Sequence, residues 1–356
     1  MGSAVQHREE TVLVTGATGF TGGQLARTLK QRGYGVRALV RNPASAGQLV
    51  DQGIEIVAGD LINAKDVSRA AEGCHGIYHI AALYRSAQFP DSVYHDVNVN
   101  GTRHVLDAAC EHQVRRVVHC STVGVHGEIK TIPADEEAPI DPGDVYQQSK
   151  LEGELLAQEA FRGGLPGSIC RPVGIYGPGD TRFLKLFKTI ASGTFRMFGS
   201  GAVSYHLTYI DDLVDGIMRC GERPQALGQT YILAGPRYTT IAELAQLVAE
   251  AVGRPSPKGH WPMWPLESAA SVCETICRPL GINPPLHHRR LDFFLKDRAF
   301  SSEKAKRELG YEPVVDLREG LGLTADWYFA KNYLKRRSNS RRHQVAKSSV
   351  NELQRS

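Results

Sequence analysis

The sequence lacks the closely spaced cysteines of a disulfide framework, and its N-terminus has no apolar signal segment. Its seven cysteines are an odd number and are scattered along the chain. This usage is typical of a protein kept in a reducing compartment, so we expect a cytoplasmic protein. Cys273 and Cys277 lie one helical turn apart, but a single pair is weak evidence for zinc, and we expect no metal site.

The chain also lacks an uncharged hydrophobic run long enough to cross a membrane. The most hydrophobic stretch, residues 261–280, contains Glu267, Glu274, Arg278 and several prolines. These residues argue against a full membrane span. A helix packed over a substrate cleft is the simpler interpretation, and shallow contact with a membrane surface is the alternative.

Charge of one sign is concentrated only at the C-terminal end. From residue 331 onward eight basic side chains stand against one acid, Glu352, so this segment carries +7 and the rest of the chain −3 of the total +4. Such a tail is typical of a solvated, disordered end, with contact to an anionic membrane or RNA as the alternative. The body has no basic excess, so we expect no nucleic-acid partner.

Short apolar runs alternate with helical stretches through the first half of the chain. With 356 residues, 42% of them hydrophobic, the chain can form a large core. Six runs rich in β-branched residues predict strands at 11–15, 35–40, 54–58, 76–81, 115–122 and 167–172. They read as nearly continuous apolar runs, which is typical of buried parallel strands. The pattern predicts an α/β fold with a doubly wound parallel sheet.

The second half is less regular and predicts a smaller lobe. After Pro172 come Gly- and Pro-rich connections, a strand near 229–235 and helices near 183–193 and 240–253. We therefore expect a sheet domain over residues 1–172 and a substrate-binding lobe over 173–330 that returns to the sheet domain near 205–235. Residues 331–356 would form the basic tail.

A glycine-rich turn follows the first predicted strand. Its residues are Gly16, Thr18, Gly19, Phe20 and Gly22. A nucleotide phosphate needs backbone N–H groups that it can approach without a Cβ in the way, and a helix N-terminus adds positive potential. Because the turn follows the first strand of an alternating chain, a dinucleotide site is favoured over a purely structural turn.

The end of the second predicted strand bears on the choice of nicotinamide cofactor. An acidic residue there would bind a ribose 2′-hydroxyl, whereas this chain has Arg41. A guanidinium favours a 2′-phosphate, so we expect NADP ahead of NAD, unless Arg41 points to solvent. Asp60 and Leu61 end the third strand, where they could meet the adenine ring; a surface turn is the alternative.

The candidate catalytic groups are a tyrosine and a lysine four residues apart. In "YQQSK", Tyr146 and Lys150 would share one face of a helix. A nearby cation lowers the pKa of a tyrosine, which would make Tyr146 a usable proton donor or acceptor near neutral pH. The pair alone is typical of a solvated surface. It gains weight because it follows a strand that ends in the hydroxyls of Ser121 and Thr122.

With these elements the chain resembles the extended short-chain dehydrogenase/reductase superfamily over about residues 11–330. The resemblance rests on the motifs "TGATGFTG", "GDL", "HIAA", "NVNGT", "STVGVHG", "YQQSK", "RPVGIYGPGD", "YIDDLVDGI" and "FSSEKAKRELGYEP". It implies a Rossmann sheet that binds NAD or NADP and an enzyme that interconverts an alcohol and a ketone. The intact catalytic residues argue against the alternative of a non-catalytic NADP(H)-binding module.

The resemblance also implies roles for individual residues. Tyr146 would move the hydroxyl proton, and Lys150 would hold the nicotinamide ribose. Thr122 would polarise the substrate oxygen, with the adjacent Ser121 as the alternative. Further residues would line or support the cofactor pocket, namely Ala81, Ala82, Asn98, Pro172 and Gly174. A homodimer built on the helix of Tyr146 is implied in the same way.

The substrate does not follow from the fold, because this scaffold hosts many reactions. Nucleotide-sugar enzymes of the superfamily usually carry an arginine just before the strand that matches "LTYIDD", where it binds the diphosphate. Here Tyr205 stands in that place, so this contact is missing. Arg289 or Arg290 could supply a second phosphate clamp, or the two could be a solvated pair.

The Trp- and Pro-rich segment 261–280 favours a cleft for an apolar substrate. We therefore expect a dehydrogenase or ketone reductase acting on a sterol- or isoprenoid-like molecule, similar to 3β-hydroxysteroid dehydrogenases and sterol-4-carboxylate decarboxylating dehydrogenases. A nucleotide-sugar 4-epimerase is the second hypothesis. The side chains expected to contact the substrate are Tyr84, His126, which replaces the family's tyrosine, Tyr205 and Arg290.

Overall fold

The computed structural model describes residues 10–85, 89–277 and 288–336, with the backbone alone for residues 288–290. Its strands are, in chain order, β1 (Thr11–Thr15), β2 (Gly35–Val40), β3 (Glu55–Ala58), β4 (Gly76–His79), β5 (Arg116–Cys120), β6 (Gly167–Pro172), β7 (Gly174–Tyr176), β8 (Met197–Phe198), β9 (Ser204–Tyr205), β10 (Leu207–Tyr209), β11 (Thr230–Leu233), β12 (Thr239–Thr240) and β13 (His260–Trp261).

Helices connect and cover these strands. They are α1 (Phe20–Gln31), α2 (Gly47–Asp51), α3 (Ala64–Ala71), α4 (Asp91–His95), α5 (Gly101–Glu111), α6 (Val145–Arg162), α7 (Leu184–Ser192), α8 (Ile210–Glu222), α9 (Ile241–Ala251), α10 (Trp264–Cys277), α11 (His288–Leu295), α12 (Glu303–Leu309) and α13 (Leu317–Ala330). A π-helical turn at Asp96–Asn100 joins α4 to α5, and 3-10 helices lie at Pro43–Ala46, Val123–His126 and Pro224–Ala226.

Seven parallel strands form the central sheet, in the order β11-β6-β5-β4-β1-β2-β3. This arrangement confirms the predicted α/β class with a doubly wound sheet. The predicted strands agree with the observed ones to within one or two residues. The strand predicted over 76–81 ends at His79, because the N–H of Ala81 donates to the Thr15 hydroxyl at 3.2 Å instead of continuing the ladder.

Alternate residues of β1 enter cores on opposite faces of the sheet. Leu13 packs in the core beneath α3, α5 and α6. Val12 and Val14 pack in the core beneath α1 and α8. With both faces covered, the carboxyl ends of the strands form the edge at which a ligand can bind.

The remaining strands form small pieces beside the sheet, with the pairings β7–β10, β9–β12 and β8–β13. The chain returns to the main sheet as β11, which pairs with β6. The division into a domain at 1–172, a lobe at 173–330 and a tail at 331–356 stays a prediction. Residues 337–356 of that tail lie outside the described residues.

None of the helices in the described ranges combines the length and the apolar content that crossing a bilayer requires. Within the same ranges, no three or more His, Cys, Asp or Glu side chains come together in a way that could hold a metal ion. The Sγ atoms of Cys273 and Cys277 lie 4.0 Å apart on α10.

Candidate active site

A cavity of about 640 Å³ opens at the carboxyl ends of the central strands. Residues far apart in sequence converge here because parallel strands end at one edge of the sheet. The predicted residues at its wall are Gly16, Thr18, Gly19, Phe20, Gly22, Arg41, Asp60, Leu61, Ala81, Ala82, Tyr84, Ser121, Thr122, Tyr146, Lys150, Pro172, Gly174 and Tyr205.

The glycine turn leaves its backbone open to a phosphate. Gly16 has a φ of +74°, and a Cβ there would lie 2.8 Å from the backbone nitrogen of Ala81. A Cβ on Gly22 would collide with the carbonyl oxygen of Gly16. Helix α1 begins after Gly19, and among the described residues no side chain caps its first turn. Its free N–H groups and the missing Cβ atoms fit the pyrophosphate of a dinucleotide.

Arg41 lines the end of this cavity next to β2 and is exposed. Asn42 and Ser45 line the same end, and sequence analysis missed both. The Asn42 side chain accepts the N–H of Ala44 at 3.2 Å and so fixes the turn after β2. Asp60 accepts the N–H of Ile62 at 3.3 Å, so its carboxylate is partly used within its own turn.

Ala81 and Ala82 form the opposite wall, and Asn98 supports it from behind. Asn98 is 1% exposed and does not reach the cavity surface. Its side chain accepts the N–H of Leu83 at 2.7 Å, and its amide nitrogen donates to the Leu83 carbonyl at 3.2 Å and to the Ser149 hydroxyl at 2.9 Å. Asn98 therefore fixes the wall to α6 and does not itself contact a cofactor.

Tyr146 is the second residue of α6, whose first turn is capped by Asp144. The Tyr146 ring packs edge-on against Tyr84 with 5.2 Å between centroids, and the Arg85 guanidinium lies 5.5 Å from its centroid. Burial, followed by the neighbouring Tyr84, raises the pKa of Tyr146 above its ordinary value. The phenol therefore holds its proton at neutral pH in the protein alone.

Lys150 lies one turn farther along α6 and is 2% exposed. Its Nζ donates to the carbonyl oxygen of Cys120 at 2.7 Å, and burial lowers its pKa. The expectation that Lys150 lowers the pKa of Tyr146 is wrong for the protein alone. The cations that lower this pKa are Arg85 and Arg182, and burial outweighs them.

The two hydroxyl candidates differ in their hydrogen bonds. Thr122 Oγ1 accepts the N–H of Gly124 at 3.1 Å, which leaves the hydroxyl proton available for donation. Ser121 Oγ is buried and has no hydrogen-bond partner among the described residues. Both line the cavity with Tyr146, so the geometry is compatible with either hydroxyl acting on a substrate oxygen.

Three arginines at the cavity wall were not predicted. Arg85 and Arg182 are each paired with an aspartate, at 2.7 and 2.6 Å. The Arg298 guanidinium lies 5.9 Å from the ring centroid of Tyr205 and has no carboxylate partner in the described part of the chain. These residues come from three separate segments without a shared motif, so only the folded chain shows that they converge.

One of the predicted substrate residues, His126, lies away from the cavity. His126 is 1% exposed and is not part of the wall. Its Nε2 lies 3.0 Å from Arg171, and its Nδ1 is bonded to the carbonyl oxygens of Ala138 and Pro139. The motif indicated that His126 lies close to the catalytic residues in sequence, but it could not show that the side chain points into the core. Arg290 belongs to α11, and its side chain lies outside the described residues.

Comparison with known proteins adds to this geometry. The sequence model of the NAD dependent epimerase/dehydratase family matches residues 12–234. The 3beta-hydroxysteroid-dehydrogenase/decarboxylase isoform 1 of Arabidopsis thaliana is 32% identical over 90% of this chain and 80% of its own length. The 4-hydroxy-2-methyl-3-oxo-4-farnesyl-3,4-dihydroquinoline-1-oxide ketoreductase of Stigmatella aurantiaca is 31% identical over 86% of this chain and 93% of its own.

A solved structure gives the same result at the level of the fold and the cofactor. It is a double mutant of DesIV, a dTDP-glucose 4,6-dehydratase from Streptomyces venezuelae, with NAD and DAU bound. The TM-score is 0.71 at 26% identity, over 89% of this chain and 96% of the other. The matched region includes the glycine turn, Tyr146 and Lys150, because the family match alone extends from residue 12 to residue 234.

Proposed function

The chain belongs to the NAD dependent epimerase/dehydratase family, and on that premise we propose that it interconverts a secondary alcohol and a ketone on an apolar, sterol- or isoprenoid-like substrate. It is an enzyme that acts on a CH–OH group with a nicotinamide dinucleotide of the NAD type. The observation that carries the proposal is the convergence of Tyr146, Lys150 and the hydroxyls of Ser121 and Thr122 on one cavity.

The proposed catalytic roles follow from the protonation and the hydrogen bonds of each side chain. Tyr146 keeps its proton, so it can donate that proton to a ketone oxygen in reduction and take it back in oxidation. Thr122 donates a hydrogen bond to the same oxygen, with Ser121 as the alternative. Lys150 holds the nicotinamide ribose. The dinucleotide, when bound, supplies hydride transfer.

The proposal of an apolar substrate is supported by aromatic rings at the substrate end. The Tyr205 ring, which lines the cavity, packs against Phe183 at 6.5 Å and against Phe293 at 5.5 Å between centroids. Such a surface suits a flat, fused-ring body, because its contact is mainly hydrophobic. The two relatives described above act, by their names, on a hydroxysteroid and on a farnesylated quinoline oxide.

Finer properties of the enzyme are part of the same proposal. We propose NADP ahead of NAD, since Arg41 and no carboxylate follows β2 at the adenosine end. We also propose a homodimer built on α6, on whose surface Leu155 is 49% exposed. Peripheral contact with a membrane, at the cytoplasmic side, completes the proposal and is developed below.

A nucleotide-sugar 4-epimerase is the second candidate, and Arg298 is the observation that favours it. A guanidinium at the cavity wall without a carboxylate partner among the described residues is suited to an anionic group such as a diphosphate. The same side chain would also suit the carboxylate of a sterol-4-carboxylate. The two candidate functions therefore differ in the group that Arg298 binds and in whether added nicotinamide cofactor is converted to its other oxidation state.

The deciding experiment mixes the purified protein with NADP⁺ or NAD⁺ and follows absorbance of the reduced cofactor over a panel of 3β-hydroxysterols, their 4-carboxylates and UDP-sugars. Oxidation of a sterol, with one reduced cofactor formed per product, supports the proposal. Conversion of UDP-glucose to UDP-galactose without added cofactor would replace it by the epimerase. In either case Arg298→Leu should raise KM selectively for the anionic substrate.

A further inference from the structure

Helix α10 presents an outward face without a charged side chain. Trp264, Val272 and Ile276 are exposed by 68%, 58% and 57%, and the remaining exposed residues of the helix are Pro265, Ser268, Ala269, Ser271 and Thr275. The two charged residues of the helix, Glu267 and Glu274, are only partly exposed. A helix facing water normally shows the opposite arrangement, with its charges outermost.

A series of packed aromatic rings connects the wall of the catalytic cavity with Trp261, which lies three residues before α10 in sequence. The series starts at Tyr205 on the cavity wall and ends at Trp261, which is 53% exposed. Successive centroid distances are 5.5 Å for Tyr205–Phe293, 5.0 Å for Phe293–Phe294, 5.8 Å for Phe294–Phe198 and 6.5 Å for Phe198–Trp261. Packed aromatic rings therefore link the substrate end of the cavity with the exposed Trp261.

The charge of the sequence that flanks the helix favours an anionic partner. Residues 252–263 contain Arg254 and Lys258, and residues 278–290 contain three arginines, with no acid in either segment. Five cations against Glu267 and Glu274 give the stretch 252–290 a net charge of +3. Tryptophans bordered by cations are typical of a surface that contacts anionic lipid headgroups. A second copy of the chain would instead bring two positive stretches together.

We propose that Trp261 and the outward face of α10 dock on the surface of an anionic lipid bilayer, so that the apolar substrate enters the cavity from the membrane. This inference rests on the proposed function for its substrate class. At 14 residues α10 is about 21 Å long, which is short of the hydrocarbon core, so it would lie in the interface.

Vesicle sedimentation tests the proposal on the full chain. We expect binding to phosphatidylcholine vesicles that contain about 30% phosphatidylglycerol, weaker binding to pure phosphatidylcholine, and a loss of about tenfold or more in the Val272→Glu/Ile276→Glu variant. Val314→Glu is the matched control, because Val314 is 76% exposed elsewhere. It should bind like the parent protein. The tail control is Arg341→Gln/Arg342→Gln, which should retain most of the binding.

Tryptophan fluorescence gives a second measurement. Two of the three tryptophans, Trp261 and Trp264, lie at the proposed surface. Their emission should shift to the blue on vesicle addition, and Trp261→Phe/Trp264→Phe should abolish the shift. Unchanged vesicle binding in Val272→Glu/Ile276→Glu would overturn the proposal. So would loss of binding in the tail variant alone, or conversion of a dimer to a monomer by the α10 substitutions without an effect on vesicle binding.

The membrane inference and the proposed function can fail separately. Turnover of a sterol delivered in detergent should be the same in the parent protein and in Val272→Glu/Ile276→Glu, since neither residue lines the cavity. Only turnover of a vesicle-borne sterol should fall in the variant. If vesicles bind through α10 but no apolar alcohol is oxidised, the proposed function fails and the docking surface remains.

Discussion

The Nζ of Lys150 donates a hydrogen bond to the carbonyl oxygen of Cys120 at 2.7 Å. This bond ties the middle of α6 to the end of β5, immediately before Ser121 and Thr122. Because Tyr146 precedes Lys150 by about one turn, the same bond sets the phenol beside the two hydroxyls. In the protein alone, Lys150 thus positions the site through its hydrogen bond to the backbone carbonyl of Cys120.

Tyr146→Phe should remove most turnover and leave the fold intact. The substitution deletes only the hydroxyl that carries the proton, so kcat should fall by about 10²- to 10⁴-fold, whereas the Kd of the cofactor should change little. Tyr238→Phe is the control, since Tyr238 is exposed and is not part of the cavity wall, and it should keep kcat unchanged. Steady-state rates and fluorescence titration measure both quantities. A fully active Tyr146→Phe enzyme would contradict the proposed proton transfer.

The choice between the two hydroxyls can be made with Thr122→Val and Ser121→Ala. We expect Thr122→Val to lower kcat by about 10²-fold, because the Thr122 proton is available to a substrate oxygen. Ser121→Ala should keep kcat within about threefold. The reverse pattern would assign the role to Ser121. Circular dichroism should verify that Thr122→Val is folded, since Thr122 also caps the 3-10 helix at Val123–His126.

Gly22→Ala should weaken cofactor binding. A Cβ at Gly22 would collide with the carbonyl oxygen of Gly16, so the phosphate-binding turn would have to move. Overpacking of this kind costs about 1–3 kcal/mol, and if the cofactor-bound state bears this cost, Kd rises by about 5- to 150-fold. Gly47→Ala is the control, since a Cβ there meets nothing within 4 Å. Equal affinities of the two variants would show that the turn does not hold the pyrophosphate.

Arg41→Ala should reduce affinity for NADP and spare NAD. A charge-assisted contact with a 2′-phosphate is worth about 1.5–3 kcal/mol, so the Kd of NADP should rise by about 10- to 100-fold. Arg223→Ala removes an exposed arginine that is not part of the cavity wall and serves as the control. Isothermal titration calorimetry with NAD and with NADP measures the two Kd values for each variant. A parallel loss for NAD and NADP would remove the basis for the NADP preference.

The parts of the fold that sequence could predict are those set by local chemistry. Strands β1 and β2 have the predicted bounds because each is rich in valine and leucine. The glycine turn was found for a similar reason, since its function resides in a few consecutive residues. The alternation of these runs with helical segments then required a parallel sheet, and with it the edge where the cavity lies.

The rest depends on side-chain directions and burial, which the whole fold determines. A motif placed His126 near the site in sequence, but its ring points into the core, where it is hydrogen-bonded to Arg171. The raised pKa of Tyr146 comes first from burial, which no local pattern reports. Arg298 was missed because it reaches the wall from a segment more than a hundred residues beyond Tyr146.

Two buried histidines should make stability fall on acidification. His79 is 1% exposed and bonded to the hydroxyls of Thr15 and Thr102 at 2.8 and 3.0 Å, and burial lowers its pKa to about 3. Its ring lies 5.3 Å from that of His119, whose pKa burial also lowers. Above about pH 6.5 both rings are neutral in the folded and the unfolded chain, so they add no pH dependence.

Below that pH only the unfolded chain takes up the protons, so the free energy of unfolding decreases as the pH falls from about 6.5 toward 3. Between pH 7.5 and 5.0 the His79 ring should remove about 2 kcal/mol, and the His119 ring acts in the same direction. Urea unfolding measures the free energy of unfolding at the two pH values. The difference between these two free energies should be about 2 kcal/mol smaller in His79→Gln than in the parent protein. His260→Gln, at an exposed position, is the control and should not alter the difference. If His79→Gln also leaves it unaltered, His79 is protonated in the folded state, and the buried hydrogen bonds to Thr15 and Thr102 must be reassigned.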